Sequence, residues 1–340
     1  MNRMLAAWAV TLAMLCAARG AMAADAVPME IAQVKTFMYQ LQGIESPAAV
    51  DALANSSYDM LVIEPTATVK GSEKVDIEGI VAKLHAARPG RLVVAYLNVG
   101  QAESYRTYWT AEWKAPTKGG GGKAASGGTP DYILMPDPDG WSDNYNVAYW
   151  DARWQKLFAT GADSEVGRAM VAGFDGVYLD WIDAYTETNV VAQAKAAHVD
   201  PAKAMVDFLL LIRKTARNIN PKAVVIQQNA YGLIDDDPRV TTAIDGIGIE
   251  DTWFGGKANA NWTSKAAGDI ANKAKGEDST AARLAQYRKF AKAGKAVFTI
   301  DYCVDETNAA KVYAEAGKAG VVPLVTRVSL DRITQTPPGK

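Results

Sequence analysis

Cysteine and histidine are almost missing from this 340-residue chain, which has two of each. Cys16 lies in an apolar N-terminal stretch, so removal of that stretch leaves Cys303 alone and no internal disulfide is available. His85 and His198 fall in helical or helix-entry contexts, away from strand ends. That argues against a histidine zinc site or a Ser-His-Asp triad. Positive charge is not in excess: the formal net charge is −2, so nucleic acid is not an expected partner. The phosphate-loop pattern GxxxxGK[ST] is absent despite four consecutive glycines at 119–122, and no GxGxxG follows the first apolar segment. What remains is a globular composition, 49% hydrophobic and 22% charged. At this size a core holds a fold without covalent staples.

Residues 1–23 read as a secretory signal peptide. Arg3 supplies the positive start, residues 4–18 are mostly apolar, and Ala21-Met22-Ala23 is a small-x-small cleavage site. The stretch is too short and wrongly flanked for a spanning helix. Cleavage removes Arg3 and Arg19 and no acid, giving a more acidic mature chain expected to be secreted or periplasmic, with no membrane attachment.

Beyond it, apolar β-forming runs alternate with helical patterns. Strands are predicted at 36–41, 58–63, 91–97, around 177–180, and at 223–228, 245–249, 296–300 and 320–325. Helices are predicted at 47–54 behind Ser46-Pro47, 77–87, 151–171, 205–219 behind Asp200-Pro201, 279–293, and after Asp305. Continuous apolar strands separated by helices imply a parallel sheet covered on both faces. Eight of them over about 300 residues predict a single (β/α)8 TIM barrel spanning 28–335. An open doubly wound sheet is the competing topology. Residues 101–150 break the rhythm with many aromatics and no clear helix. Within them 117–130 is a Gly, Lys and Ser tract, expected to be a mobile excursion after the third strand.

In a barrel the C-terminal strand ends face one basin. They carry Tyr39, Gln40 and Gln42 on strand one, Glu64 on two, Tyr96, Asn98 and Glu103 on three, and Tyr178, Asp180, Trp181 and Asp183 on four. Gln228, Asn229 and Tyr231 follow on five, Glu250, Asp251 and Trp253 on six, Asp301 and Tyr302 on seven, and Arg327 on eight. Acids and amides pair with hydroxyls, and flat rings such as Tyr39, Tyr96, Trp181, Tyr231, Trp253 and Tyr302 stack on sugar C–H faces. The set therefore suits a carbohydrate cleft. Two carboxylates, Asp180 and Glu250, two strands apart, suit glycoside hydrolysis with one as nucleophile and one as proton donor. Aromatic walls and a neighbouring carboxylate are expected to raise Glu250, fitting it as acid/base, while Asp180 stays ionised and attacks. Asp183 and Asp251 are expected to be supporting hydrogen-bond acceptors. No cofactor or metal is expected. A hard cation held by Asp180, Asp183 and Asp301 is the minor alternative.

The segments YQLQGI (39–44), AYLNVGQAESYRTYW (95–109), VAYWDARWQ (147–155), GFDGVYLDWIDAY (173–185) and GIEDTWF (248–254) resemble glycoside hydrolase family 114. These are the endo-α-1,4-polygalactosaminidases and their TIM-barrel relatives. The resemblance implies a retaining barrel enzyme that cuts α-1,4-linked galactosamine polymers internally. It places the nucleophilic Asp at Asp180 and the acid/base Glu at Glu250. The partner so implied is a galactosamine-containing polysaccharide. The family 18 chitinase pattern DGxDxDxE is not met: Tyr178 replaces its middle Asp and Ile182 its catalytic Glu. An α-galactosidase-like exo-glycosidase and a non-catalytic carbohydrate-binding barrel remain the alternatives.

Overall fold

The computed structural model describes residues 28–66, 75–116 and 128–334. The expected signal peptide (1–23) and most of the glycine-rich tract (117–127) lie outside the described residues. Eight parallel strands form one nearly closed sheet: β1 (Phe37–Gln40), β2 (Met60–Ile63), β3 (Leu92–Asn98), β4 (Gly176–Asp180), β5 (Val224–Gln228), β6 (Gly246–Glu250), β7 (Ala296–Tyr302) and β8 (Val322–Thr326). They are neighbours in chain order and β8 lies against β1, so the architecture is the expected (β/α)8 barrel. Most strand residues are buried on both faces, which is why the strands read as unbroken apolar runs.

Register fixes which side chains enter the barrel. Phe37 pairs with Met60 and Phe298 with Val322, and the Phe37 and Phe298 rings meet at 5.1 Å in the interior. Alternation along each strand then carries Tyr39, Tyr96, Asn98, Tyr178, Asp180, Gln228, Gly248, Glu250 and Tyr302 inward. Side chains one position away, such as Gln40, Gln227 and Asp301, belong to the opposite face.

The outer layer follows its caps. Asp76 accepts from Gly79 N ahead of helix Ile77–Ala87, Asp200 from Lys203 N ahead of Pro201–Ile219, and Asp305 from Thr307 and Asn308 N ahead of Glu306–Ala319. One sequence expectation needs correction. The helix predicted over 151–171 is two helices, Ala152–Ala159 and Glu165–Val171. The break falls at Gly161, whose φ is +86°, and Ser164 caps the second helix through Gly167 N. A further helix, Thr188–Ala196, has too weak an apolar face to stand out in the sequence.

On either side of the glycine-rich tract the chain after β3 forms a small sheet of its own. Gln101–Glu103, Ile133–Pro136 and Asn144–Val147 form a three-stranded antiparallel sheet. Its aromatics pack as a cluster: Trp109 on Tyr145 at 5.2 Å, Tyr108 on Trp154 at 5.7 Å, and Trp113 on Tyr132 at 6.4 Å. Ring-to-ring burial gives this segment a core that its irregular sequence pattern hides.

Candidate active site

The chain leaves β4, β5 and β6 by the same backbone device. Trp181 (φ 58°), Asn229 and Ala230 (51° and 48°) and Asp251 (56°) are all left-handed, immediately after strand ends. Such conformations in non-glycine residues cost free energy and collect at functional sites. Local bonds hold them. Trp181 N donates to Asp180 Oδ1 at 2.7 Å, and Gln227 Nε2 donates to the carbonyls of Asn229 and Ala230, both at 2.9 Å. Gly100 lets the β3 loop approach, since a Cβ there would lie 2.2 Å from the Trp181 carbonyl.

Asp180 and Glu250 end β4 and β6 with both side chains on the inward face. Tyr96 Oη donates to Asp180 Oδ2 at 2.5 Å. Glu250 is held more fully: Gln228 Nε2 and Asn229 Nδ2 donate to Oε2 at 2.6 and 3.3 Å, and Tyr302 Oη donates to Oε1. Asn229 Oδ1 accepts from Glu250 N at 3.0 Å, so one amide fixes both main chain and side chain. Gln228 is oriented in turn by Tyr39 Oη, which donates to its Oε1 at 2.9 Å. Gln228, Asn229, Tyr39, Tyr96 and Tyr302, all expected at the site, are thus brought together around the two acids.

The electrostatics depart from the sequence expectation at Asp180. Burial, reinforced by the charge of Glu250, pushes Asp180 up to about 8, against the hydrogen bonds from Tyr96 and Trp181 N. Asp251 is likewise pushed to about 8, by burial and then by Glu250 and Asp301, with Arg283 opposing. Burial raises Asp301 to about 7 and Asp183 to about 6. This mouth gathers more negative charge than it can carry, so a cation entering it would be attracted. Arg283, which sequence reasoning missed, partly offsets that charge and donates Nη1 to the Glu250 carbonyl at 2.8 Å. Nothing in its helical context, Thr280–Lys292, distinguished it from a surface arginine.

Other expected residues have different duties. Glu64 and Glu103 are buried and both bind Arg106, with Nε to Glu103 Oε2 at 2.6 Å and Nη2 to Glu64 Oε2 at 3.0 Å. Their charge is offset within the protein. Asp301 faces away from the interior: its Oδ1 accepts Trp253 N at 2.6 Å and Phe254 N at 2.8 Å, anchoring the loop after β6. Asp180, Asp183 and Asp301 therefore do not converge as the cation site considered above. Among the described residues no group of three or more His, Cys, Asp or Glu is so arranged. Trp253 is not an open stacking face; it packs with Phe254, Cys303, Val312, Ala316 and Val325. Tyr39 and Tyr178 are fully buried and form the floor, their rings 5.2 Å apart, while Trp181 and Tyr231 are the half-buried rings at the rim. Asn98 is bound by Gln101 on both ends of its amide, and Gln40 donates to the Gln42 carbonyl. Arg327 lies over the Trp262 ring at 5.1 Å, with Arg332 on the same ring at 5.0 Å.

A (β/α)8 barrel carrying two acids on the inward ends of β4 and β6, each oriented by separate donors, is built like a glycosidase. The comparisons place it more narrowly. The profile of Glycoside-hydrolase family GH114 matches residues 18–340, and the chain belongs to that family and is a glycosidase. An uncharacterized protein of Deinococcus radiodurans is 34% identical over 292 residues, covering 85% of this chain and 79% of its own. One from Thermotoga maritima is 26% identical, covering 87% and 81%. Among solved structures, Aspergillus fumigatus Ega3 in complex with galactosamine superposes with a TM-score of 0.59 at 16% identity, covering 88% of this chain and 94% of that one. The glycoside hydrolase domain of PelA from Pseudomonas aeruginosa gives 0.56 at 16%, covering 88% and 97%.

Proposed function

We propose that this glycosidase is an exported, retaining enzyme that cleaves α-1,4-linked galactosamine or N-acetylgalactosamine in an exopolysaccharide. Asp180 attacks the anomeric carbon. Glu250 protonates the departing oxygen and then takes a proton from water, which releases the sugar from Asp180.

The observation that carries this reading is the unequal dressing of the two acids. Gln228 and Asn229 both donate to Glu250 Oε2, which leaves Oε1 as the oxygen with room for a proton. Tyr302 faces Oε1 with a hydroxyl that can donate to the carboxylate or accept from the acid. The raised Asp180 fits the same cycle. With Glu250 ionised, its charge disfavours a second charge on Asp180, and a proton placed on Glu250 removes that repulsion. The state with Asp180 ionised and Glu250 protonated is the reactive one.

An amino sugar suits the excess of carboxylates around Asp180, Asp183 and Asp251, because a protonated amine relieves it. That Ega3 was solved with galactosamine supports the same choice. The N-terminal signal-like stretch supports action on a polymer outside the cytoplasm. Incubation with α-1,4-galactosamine polymers of defined acetylation, followed by mass spectrometry, is expected to give internal fragments. Intact polymer after prolonged incubation would reject the reading.

A further inference from the structure

Among the described residues only two aromatic side chains stand out as exposed hydrophobics: Tyr105 and Trp141, 48% and 41% exposed. The others are aliphatic and scattered, with Val171, Val191 and Ile219 on outer helices and Ile270 in the loop after β6. Isolated exposed aliphatics are ordinary. Tyr105 and Trp141 differ because both belong to the segment after β3, where Trp109, Trp113, Tyr132 and Tyr145 pack on one another. Two rings are thus left out of an aromatic core that lies beside them, at a cost in buried area.

Neither ring is loosely held. Tyr105 Oη donates to Glu103 Oε1, and the Arg106 guanidinium lies over its ring at 5.2 Å. Glu103 and Arg106 are themselves members of the buried triad with Glu64. Trp141 N donates to Asp137 Oδ1 at 2.9 Å, and Asp137 Oδ2 accepts from Gln101 Nε2 at 2.7 Å, with Asp137 and Gln101 both buried. Buried polar groups therefore fix each residue while its ring faces solvent.

The two rings also share a location. Ser104 donates N to the Asp143 carbonyl at 2.9 Å and Oγ to Asp143 Oδ1 at 2.8 Å, which brings residues 105 and 141 to one end of the small sheet. That end lies at the barrel mouth. Tyr105 is near enough to Tyr96, the donor to Asp180, to help raise it, and Asp139, two residues before Trp141, does the same to Asp183. Asp137 and Asp139 likewise act on Glu187, so the surroundings of Trp141 are acidic.

We propose that Tyr105 and Trp141 are stacking faces for sugar rings of the polymer beyond the one that Asp180 attacks, so that the small sheet after β3 grips the chain that the two acids cut. The inference rests on the galactosamine-polymer reading above and extends it to the residues that hold uncut sugars. In a galacto-configured pyranose the axial O4 leaves C3–H, C4–H and C5–H together on one face, an apolar patch that fits an aromatic ring. Its C2 ammonium lies at the ring edge, where the negative charge around Trp141 attracts it.

The test uses the full chain in an Asp180→Asn background, so that polymer is bound without being cut. Retardation in native gels containing α-1,4-galactosamine polymer gives the dissociation constant, with thermal unfolding run on the same preparations. Tyr105→Ala and Trp141→Ala are each expected to weaken binding about tenfold, and Tyr105→Phe, which keeps the ring, by less than about threefold. With Asp180 restored, the two alanine variants are expected to raise KM for the polymer by a similar factor. Unchanged affinity in both alanine variants would overturn the inference. So would a Tyr105→Phe as weak as Tyr105→Ala beside an unaffected Trp141→Ala, since the hydroxyl and not the ring would then matter. Trp141 is held through its main chain, so Trp141→Ala decides the matter if Tyr105→Ala does not fold. Cleavage of the polymer with unchanged KM in the variants removes this inference alone, whereas a wild type that neither binds nor cuts the polymer removes the reading beneath it as well.

Discussion

Tyr302 Oη donates to Glu250 Oε1, the oxygen that Gln228 and Asn229 leave open. This contact is the point at which the acid role of Glu250 can be probed without touching a carboxylate. Tyr302→Phe is expected to lower kcat about tenfold, the scale of one hydrogen bond to a charged group, with the fold retained. Unchanged turnover would show that the hydroxyl plays no part in handling the proton.

The acids themselves are expected to separate by step. Asp180→Asn removes the nucleophile and is predicted to lower turnover of any substrate by more than about a thousandfold. Glu250→Gln should do the same for the polymer. With an aryl glycoside whose leaving group needs no protonation, it should still give a burst of released phenol. Absence of that burst, with Asp180 intact, would count against the assignment of Glu250 as acid/base.

Stability should fall as pH rises through the site's titration. Asp180 is pushed up to about 8, above the ordinary carboxyl value of 3.8. Between those limits the folded state binds more protons than the unfolded one, so unfolding becomes easier with increasing pH. Asp251, Asp301 and Asp183 add the same sign. Asp180→Asn is therefore expected to gain about 1–2 kcal/mol at pH 7.5 and nothing at pH 4, read by chemical denaturation at each pH. An equal gain at both would place its cause elsewhere.

Arg106 is predicted to matter to the fold more than any surface ion pair. It and its partners Glu64 and Glu103 are each only 3% exposed, so Arg106→Met leaves two carboxylates buried without a cation. The expected loss is about 3–5 kcal/mol in urea unfolding. Converting both acids to glutamine in the same background should return part of it; if it returns nothing, the triad is not the source of the loss.

Gly248→Ala is expected to cost about 1–3 kcal/mol, because the new methyl and Tyr178 Oη claim the same space. Pairing it with Tyr178→Phe tests that collision. Part of the loss should return once the oxygen is gone, and strictly additive effects would contradict it.

Taken alone, the amino-acid sequence determined the eight strands, the caps of helices Pro201–Ile219 and Glu306–Ala319, and the two acids at the ends of β4 and β6. These follow from local rules: apolar runs for buried strands, a side-chain acceptor ahead of those two helices, and a carboxylate where a strand gives out. The three-stranded sheet after β3 was not legible, since its strands are only three or four residues long and meet across an intervening tract. Nor could the sequence distinguish Asp301, spent on the amides of Trp253 and Phe254, from Asp180, which faces the interior. It could not foresee that Arg106 would offset Glu64 and Glu103, that Arg283 would reach the Glu250 carbonyl, or that Tyr178 would settle over Gly248. Only the tertiary structure decided those, because each depends on closing the sheet into a barrel. Closure fixes which of two alternating faces points inward and brings residues from distant strands within a hydrogen bond of each other.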